Sequence, residues 1–147
     1  MAMAACAPHS RVVRAGDLRI AQIVTAAPVV IDSLASTTMT VYLTIQNTGQ
    51  VADTLRAVTS RLADSTQIHT MAGEGRDRHM ATVSGVAVAP GETVRFRPGG
   101  RHIMLEGLHS APAPGDSVAL VLTFSRAGAV PVTARVVHLD DLADALK

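Results

Sequence analysis

From Thr38 the chain reads TMTVYLTIQN, in which Val41, Leu43 and Ile45 alternate with Thr40, Tyr42 and Thr44. A period of two places the aliphatic set on one face of an extended strand and the polar set on the other. The same residues on a helix would be spread around its axis. The pattern recurs. In LRIAQIVTA it sets Leu18, Ile20, Gln22 and Val24 on one face, and in SVALVLTF it does so for Val118, Leu120, Leu122 and Phe124. TVRFR and VPVTARVVH read the same way. Turn chemistry separates these runs at Asn47-Thr48-Gly49-Gln50, Pro90-Gly91-Glu92, Pro98-Gly99-Gly100, Pro112 to Gly115 and Ala127-Gly128, because Asn, Gly and Pro fit the backbone angles of tight reversals. DTLRAVTS reads as the strand pairing after the Asn47 turn, and Arg61 to Ser65 as a connection. Eight or nine short strands with this spacing, and no βαβ rhythm, predict an all-β Greek-key sandwich or barrel.

The core of such a fold has to be aliphatic, since 147 residues include no Trp, one Tyr and two Phe. That length gives one domain with a full core. The expected division is a flexible tail over 1–16, a β-domain over 17–138 and a C-terminal tail over 139–147, where LDDLADALK forms at most a short frayed helix. A net charge of +1, without a Lys/Arg cluster interleaved with aromatics, gives no case for nucleic acid. No apolar run is long enough for a membrane-spanning helix, and no charged start with an apolar core marks a full signal peptide. Cys6 is the sole cysteine, so neither an internal disulfide nor a thiolate cluster is available. Met3-Ala4-Ala5-Cys6 resembles the end of a bacterial lipoprotein signal, whose cysteine is acylated. Lipidation of Cys6 and a plain flexible start are both compatible with these residues, and both leave Cys6 outside the core.

Functional chemistry concentrates between His69 and Met104. Two His-x-Met pairs, His69/Met71 and His102/Met104, bracket the stretch, and Met80 lies between them. Imidazole and thioether are the ligands that a soft ion such as Cu(I) selects. A single Met on a strand is ordinarily core filler, and a single His is ordinarily a hydrogen-bonded surface residue. Five such residues in one stretch instead point to a shared site. Period two puts His69 and Met71 on one side of their strand, His102 and Met104 on one side of theirs, and His79 on the side opposite Met80. His9, His109 and His138 have no partner at ligand spacing and read as surface residues, although His9 lies near Cys6.

The sequence resembles the periplasmic copper chaperone family PCu(A)C. That family's signature is a His, ten residues, a Met, twenty-one residues, then His-x-Met, and His69, Met80, His102 and Met104 carry it without insertion or deletion. Tyr42 to Gly49 resembles the family's YLxIxNxG strand and turn, Asp53-Thr54-Leu55 its D-x-L, and PGGRHIMLEGL its PGGxHxMLxGL block. Gly115-Asp116 and Leu122-Thr123-Phe124 resemble its closing hairpin. The match runs from about Leu18 to Val137. It departs at Ala26-Ala27-Pro28, where the family commonly has Trp and Arg, and in the tail, which lacks the Met/His-rich segment of some members.

The resemblance implies a single cupredoxin-like β-barrel domain that is monomeric and periplasmic or otherwise extracytoplasmic. It implies no enzymatic activity. One Cu(I), for which Ag(I) is a surrogate, would sit near the surface on His69, Met80, His102 and Met104, with Met71 as an accessory. The implied recipient is a copper-accepting protein, either a respiratory oxidase subunit or a Sco-like thiol protein of its assembly. Imidazole ligates only when deprotonated, so such binding weakens below about pH 6.

Other chemistries fit less well. A blue-copper carrier needs a Cys thiolate beside two His, and Cys6 is far from both. A catalytic zinc site wants three His or carboxylate ligands, and Glu74, Asp77 and Glu106 are not suitably spaced. Ser84 and Ser110 have no evident orienting base. Copper storage or resistance would use the same ligands, and a non-metal β-sandwich interaction module would need none of them.

Overall fold

The computed structural model describes residues 11–31, 34–35 and 37–147. Cys6 and His9 lie outside them. The strands, in chain order, are β1 (Val13–Ala15), β2 (Leu18–Ala26), β3 (Val30–Ile31), β4 (Leu34–Ala35), β5 (Thr38–Asn47), β6 (Asp53–Thr59), β7 (Ala63–Ala72), β8 (His79–Thr82), β9 (Val86–Val88), β10 (Thr93–Arg95), β11 (His102–Leu108), β12 (Ser117–Phe124) and β13 (Gly128–Val137). All but β3 and β4, which pair with each other, join one continuous sheet in the order β8-β7-β11-β5-β2-β13-β12-β6-β9, with β1 added to β2 and β10 to β5. The pairings are antiparallel except β2 with β13, the crossover that gives the Greek key. The sheet folds over so that β6 packs beside β7 and β5 beside β9.

The alternation read from the sequence fills the interior. Val41, Leu43, Ile45, Leu55, Ile103, Leu105, Leu120 and Leu122 are buried in one aliphatic cluster around Phe96. Each such side chain contributes about 1.5–3 kcal/mol relative to exposure.

Four expectations need correction. Gln22 does not share the Leu18/Ile20 face. The β2–β5 register shifts between Ala21 and Val24, and Gln22 takes the left-handed value φ 53°. The bulge reverses the alternation, so Val24 leaves the core face and Thr25, opposite Val41, takes its place. The Thr25 hydroxyl is accommodated there by donating to the Thr40 carbonyl at 2.7 Å.

The C-terminal end is packed rather than frayed. Leu142, on a one-turn helix (Leu142–Ala145), covers the displaced Val24 together with Val137. At the other end, Val13–Ala15 is not tail but pairs with Leu18–Ile20. Finally, β6 pairs with β9 and β12 rather than with β5. Asn47 carries the chain across that gap: its amide donates to the Val51 and Val88 carbonyls, and its oxygen accepts from Gly49 N.

Candidate metal site

Strand register alone gathers the sequence-predicted residues. β7 begins at Ala63, earlier than the sequence indicated, and pairs along its length with β11, which sets His69 directly opposite His102 and Gln67 opposite Met104. On the other edge of β7, β8 sets Met80 opposite Met71 and Thr82 opposite His69. Directly opposed residues project from the same side of a sheet. One face therefore carries three successive cross-strand rows: Met80–Met71, Thr82–His69–His102, and Gln67–Met104. Alternate residues Ile68, Ile103 and Leu105 point into the core. His79 projects from the side opposite Met80 and is exposed, its Nδ1 donating to the Asp77 carbonyl.

The rows differ in depth. His69 and His102 are buried at 8% and 6% exposure, whereas Met80 stands 53% exposed. The two imidazole rings lie 5.4 Å apart, centre to centre, and are nearly perpendicular at 88°. His69 Nε2 donates to Gln67 Oε1 at 2.8 Å, and the same oxygen accepts from the Thr82 hydroxyl at 3.2 Å. That leaves the lone pair on His69 Nδ1, which is buried and has no hydrogen-bond partner. His102 is held the other way, with Nδ1 donating to the Gly100 carbonyl at 2.9 Å, so its lone pair is on Nε2. The Met104 thioether receives a weak contact from the Thr40 hydroxyl at 3.9 Å.

The turn before β11 ties these strands together. Gly99 adopts φ 81°, a left-handed value that glycine takes without strain, and its carbonyl accepts from Arg78 at 2.5 Å. Arg78 immediately precedes β8, so the Met80 and His102 segments are joined outside the strand pairing.

A buried ring nitrogen without a donor costs about 1–3 kcal/mol, a cost that a hydrogen-bond donor or a soft cation reaching it would relieve. Among the described residues no three His, Cys, Asp or Glu side chains are placed to share a metal ion, so an ion on this face must draw on the thioethers. Glu74, Asp77, Ser84 and Ser110 are exposed and outside the rows. His109 is a surface residue as expected, but the sequence did not reveal its contact with Asp64 Oδ1 at 2.6 Å. Gln67 was also missed; period two already placed it beside His69.

The profile of the family described as "Putative lipoprotein LpqE-like" matches residues 17–136. The chain belongs to the LpqE-like family. A relative of this LpqE-like chain, "Putative lipoprotein Lxx21020" from Leifsonia xyli subsp. xyli (strain CTCB07), is 34% identical over 89 residues, which span 60% of this chain and 54% of that protein. The match thus spans about half the relative's length. Among solved structures, the copper-bound PCuAC domain from PmoF2 superposes with a TM-score of 0.71 at 23% identity, covering 87% of this chain and 98% of that domain. The Cu(I) form of DR1885 from Deinococcus radiodurans gives a TM-score of 0.61 at 22% identity, over 80% of this chain and 77% of that one. This likeness establishes the fold of the LpqE-like chain as that of the PCuAC domains, a cupredoxin-like β-sandwich, in agreement with the sequence resemblance.

Proposed function

We propose that this protein is an extracytoplasmic copper carrier that binds one Cu(I) through His69, Met80, His102 and Met104, with Met71 beside them, and passes it to an acceptor protein. The observation that carries this reading is the unpartnered, buried Nδ1 of His69 directly across from His102, on a face whose adjoining rows hold three thioethers. Soft neutral donors favour Cu(I). The copper-bound PCuAC domain of PmoF2 and Cu(I)-DR1885 share the fold.

The gradient of exposure fits a carrier. The histidines sit deep and are held by Gln67 and Gly100, while Met80 is open to an approaching partner. Transfer is then a ligand exchange: an acceptor thiolate forms a bond to Cu(I) as the Met80 thioether releases it. The ion stays monovalent throughout, so no electron source is required. The acceptors that suit this step are a Sco-like thiol protein or an oxidase copper centre. Acylation of Cys6 would place the carrier at a membrane surface.

Anaerobic titration with Cu(I) or Ag(I) against a competing chelator tests the reading. Wild type takes up one equivalent, while His102→Ala and Met80→Ala weaken binding by about tenfold or more. Uptake that is unaffected by both substitutions overturns it. Storage would use the same donors, and prompt transfer to a dithiol acceptor separates the two.

A further inference from the structure

A second surface has no part in the copper reading. On the outer side of β1, β2, β5 and β10, register sets Arg14 opposite Arg19, Arg19 opposite Gln46, and Gln46 opposite Thr93. The next row runs Ala21, Thr44, Arg95. Arg97 joins it by donating to Gln22 Oε1 at 2.6 Å and Thr44 Oγ1 at 3.1 Å. Four guanidinium groups thus share one sheet face, and the ion pairs found among the described residues, His109–Asp64 and Lys147–Asp144, lie elsewhere.

Asp17 and Glu92 sit in the flanking turns and pair with none of the four. Like charges opposed across a sheet are destabilising, and burial followed by the charge of Arg95 lowers the Arg97 pKa. Between the arginines lies a shallow depression of ≈ 350 Å³ lined by Arg19, Arg95, Gln22, Thr44, Gln46 and Thr93. Cations around hydrogen-bonding polar groups suit a phosphodiester headgroup.

We infer that this arginine face docks on anionic phospholipid. Two observations favour a membrane over an acidic protein. The family is described as lipoprotein, and Cys6 precedes Val13 of β1, the edge of this face, by seven residues. Seven residues reach at most ~25 Å, so a lipid on Cys6 would hold the bilayer beside these arginines. Each would then contribute through the negative surface potential, which acts within a Debye length.

The test uses the full 147-residue chain, unacylated, sedimented with vesicles of phosphatidylcholine alone or with added phosphatidylglycerol. Binding at low salt should be at least about tenfold stronger with phosphatidylglycerol and should vanish at high salt. Arg14→Glu/Arg95→Glu should fall to the phosphatidylcholine level, whereas Arg56→Glu/Arg61→Glu, on and beside β6 away from this face, should not. Thermal unfolding and Ag(I) uptake of the same samples separate a lost surface from a lost fold, and keep this outcome independent of the copper reading. No preference for phosphatidylglycerol, or equal binding by the charge-reversed variant, overturns the inference. Arginine-dependent binding of polyglutamate without vesicle binding also overturns it, and assigns the face to an acidic protein.

Discussion

His69 and His102 face each other across β7 and β11 with their ring protons on opposite nitrogens: Nε2 of His69 donates to Gln67, and Nδ1 of His102 donates to Gly100. A pair of neutral imidazoles set this way offers two lone pairs without rearranging either ring. Nitrogen-15 correlation spectra of the apo protein in neutral solution should therefore show an Nε2-H tautomer for His69 and an Nδ1-H tautomer for His102. Identical tautomers at the two positions would contradict the arrangement.

Gln67 is a positioning residue, acting through His69. Outer partners of ligating histidines typically matter by about 10–100-fold in metal affinity. Gln67→Leu should weaken Cu(I) or Ag(I) binding by about that factor, and the His69 ring should lose its single tautomer while His102 keeps its own. Gln67→Glu, which retains an acceptor for Nε2, should recover much of the loss. A variant with weakened binding but an unchanged His69 tautomer would show that Gln67 acts in some other way.

His109 gives a pH-dependent contact away from the site. Its hydrogen bond to Asp64 is the main cause of a pKa raised above the ordinary imidazole value, assisted by its bond to the Arg61 carbonyl. Both ring nitrogens face acceptors, an arrangement that only the imidazolium satisfies fully. The contact's stabilising contribution is thus fully present below the ordinary imidazole value and is lost as pH rises through the elevated one. In Asp64→Asn the His109 titration midpoint, followed by proton NMR, should drop back toward the ordinary value.

Much of the fold was legible because its strands are half-buried and therefore alternate. Val41, Leu43 and Ile45 could be assigned inward from spacing alone, and the same periodicity put His69 with Met71 and His102 with Met104. Local pattern did not reveal which strands neighbour one another, because pairing is fixed by contacts distant in sequence. The apposition of His69 and His102 accordingly came only with the β7–β11 register. The bulge at Gln22 was hidden for a different reason. Its alternation looks unbroken until the one left-handed residue reverses it, and Val24 is apolar enough to suit either face because Leu142 covers it on the outside. The resemblance at Tyr42 to Gly49 drew attention to Asn47, but not to the partner strand it holds.

That partner is β9. Asn47 is 1% exposed, and its amide donates to the Val88 carbonyl at 3.1 Å and the Val51 carbonyl at 2.8 Å, while its oxygen accepts from Gly49 N at 3.0 Å. It therefore fastens the end of β5 to the facing edge of the folded-over sheet, where no strand pairing does so. Asn47→Ala removes these bonds, of which the one to the Val88 carbonyl is buried, and a buried acceptor left unpaired costs about 1–3 kcal/mol. The expected loss is about 2–4 kcal/mol in urea unfolding, with faster amide exchange at Val88 than along β11. Ag(I) uptake by the folded fraction should be unaffected, since no ligand lies on β9. A loss below about 0.5 kcal/mol, the range of ordinary surface substitutions, would mean that apolar contact and the backbone bonds of Asn47 with Gly91 and Glu92 hold the two layers without its side chain.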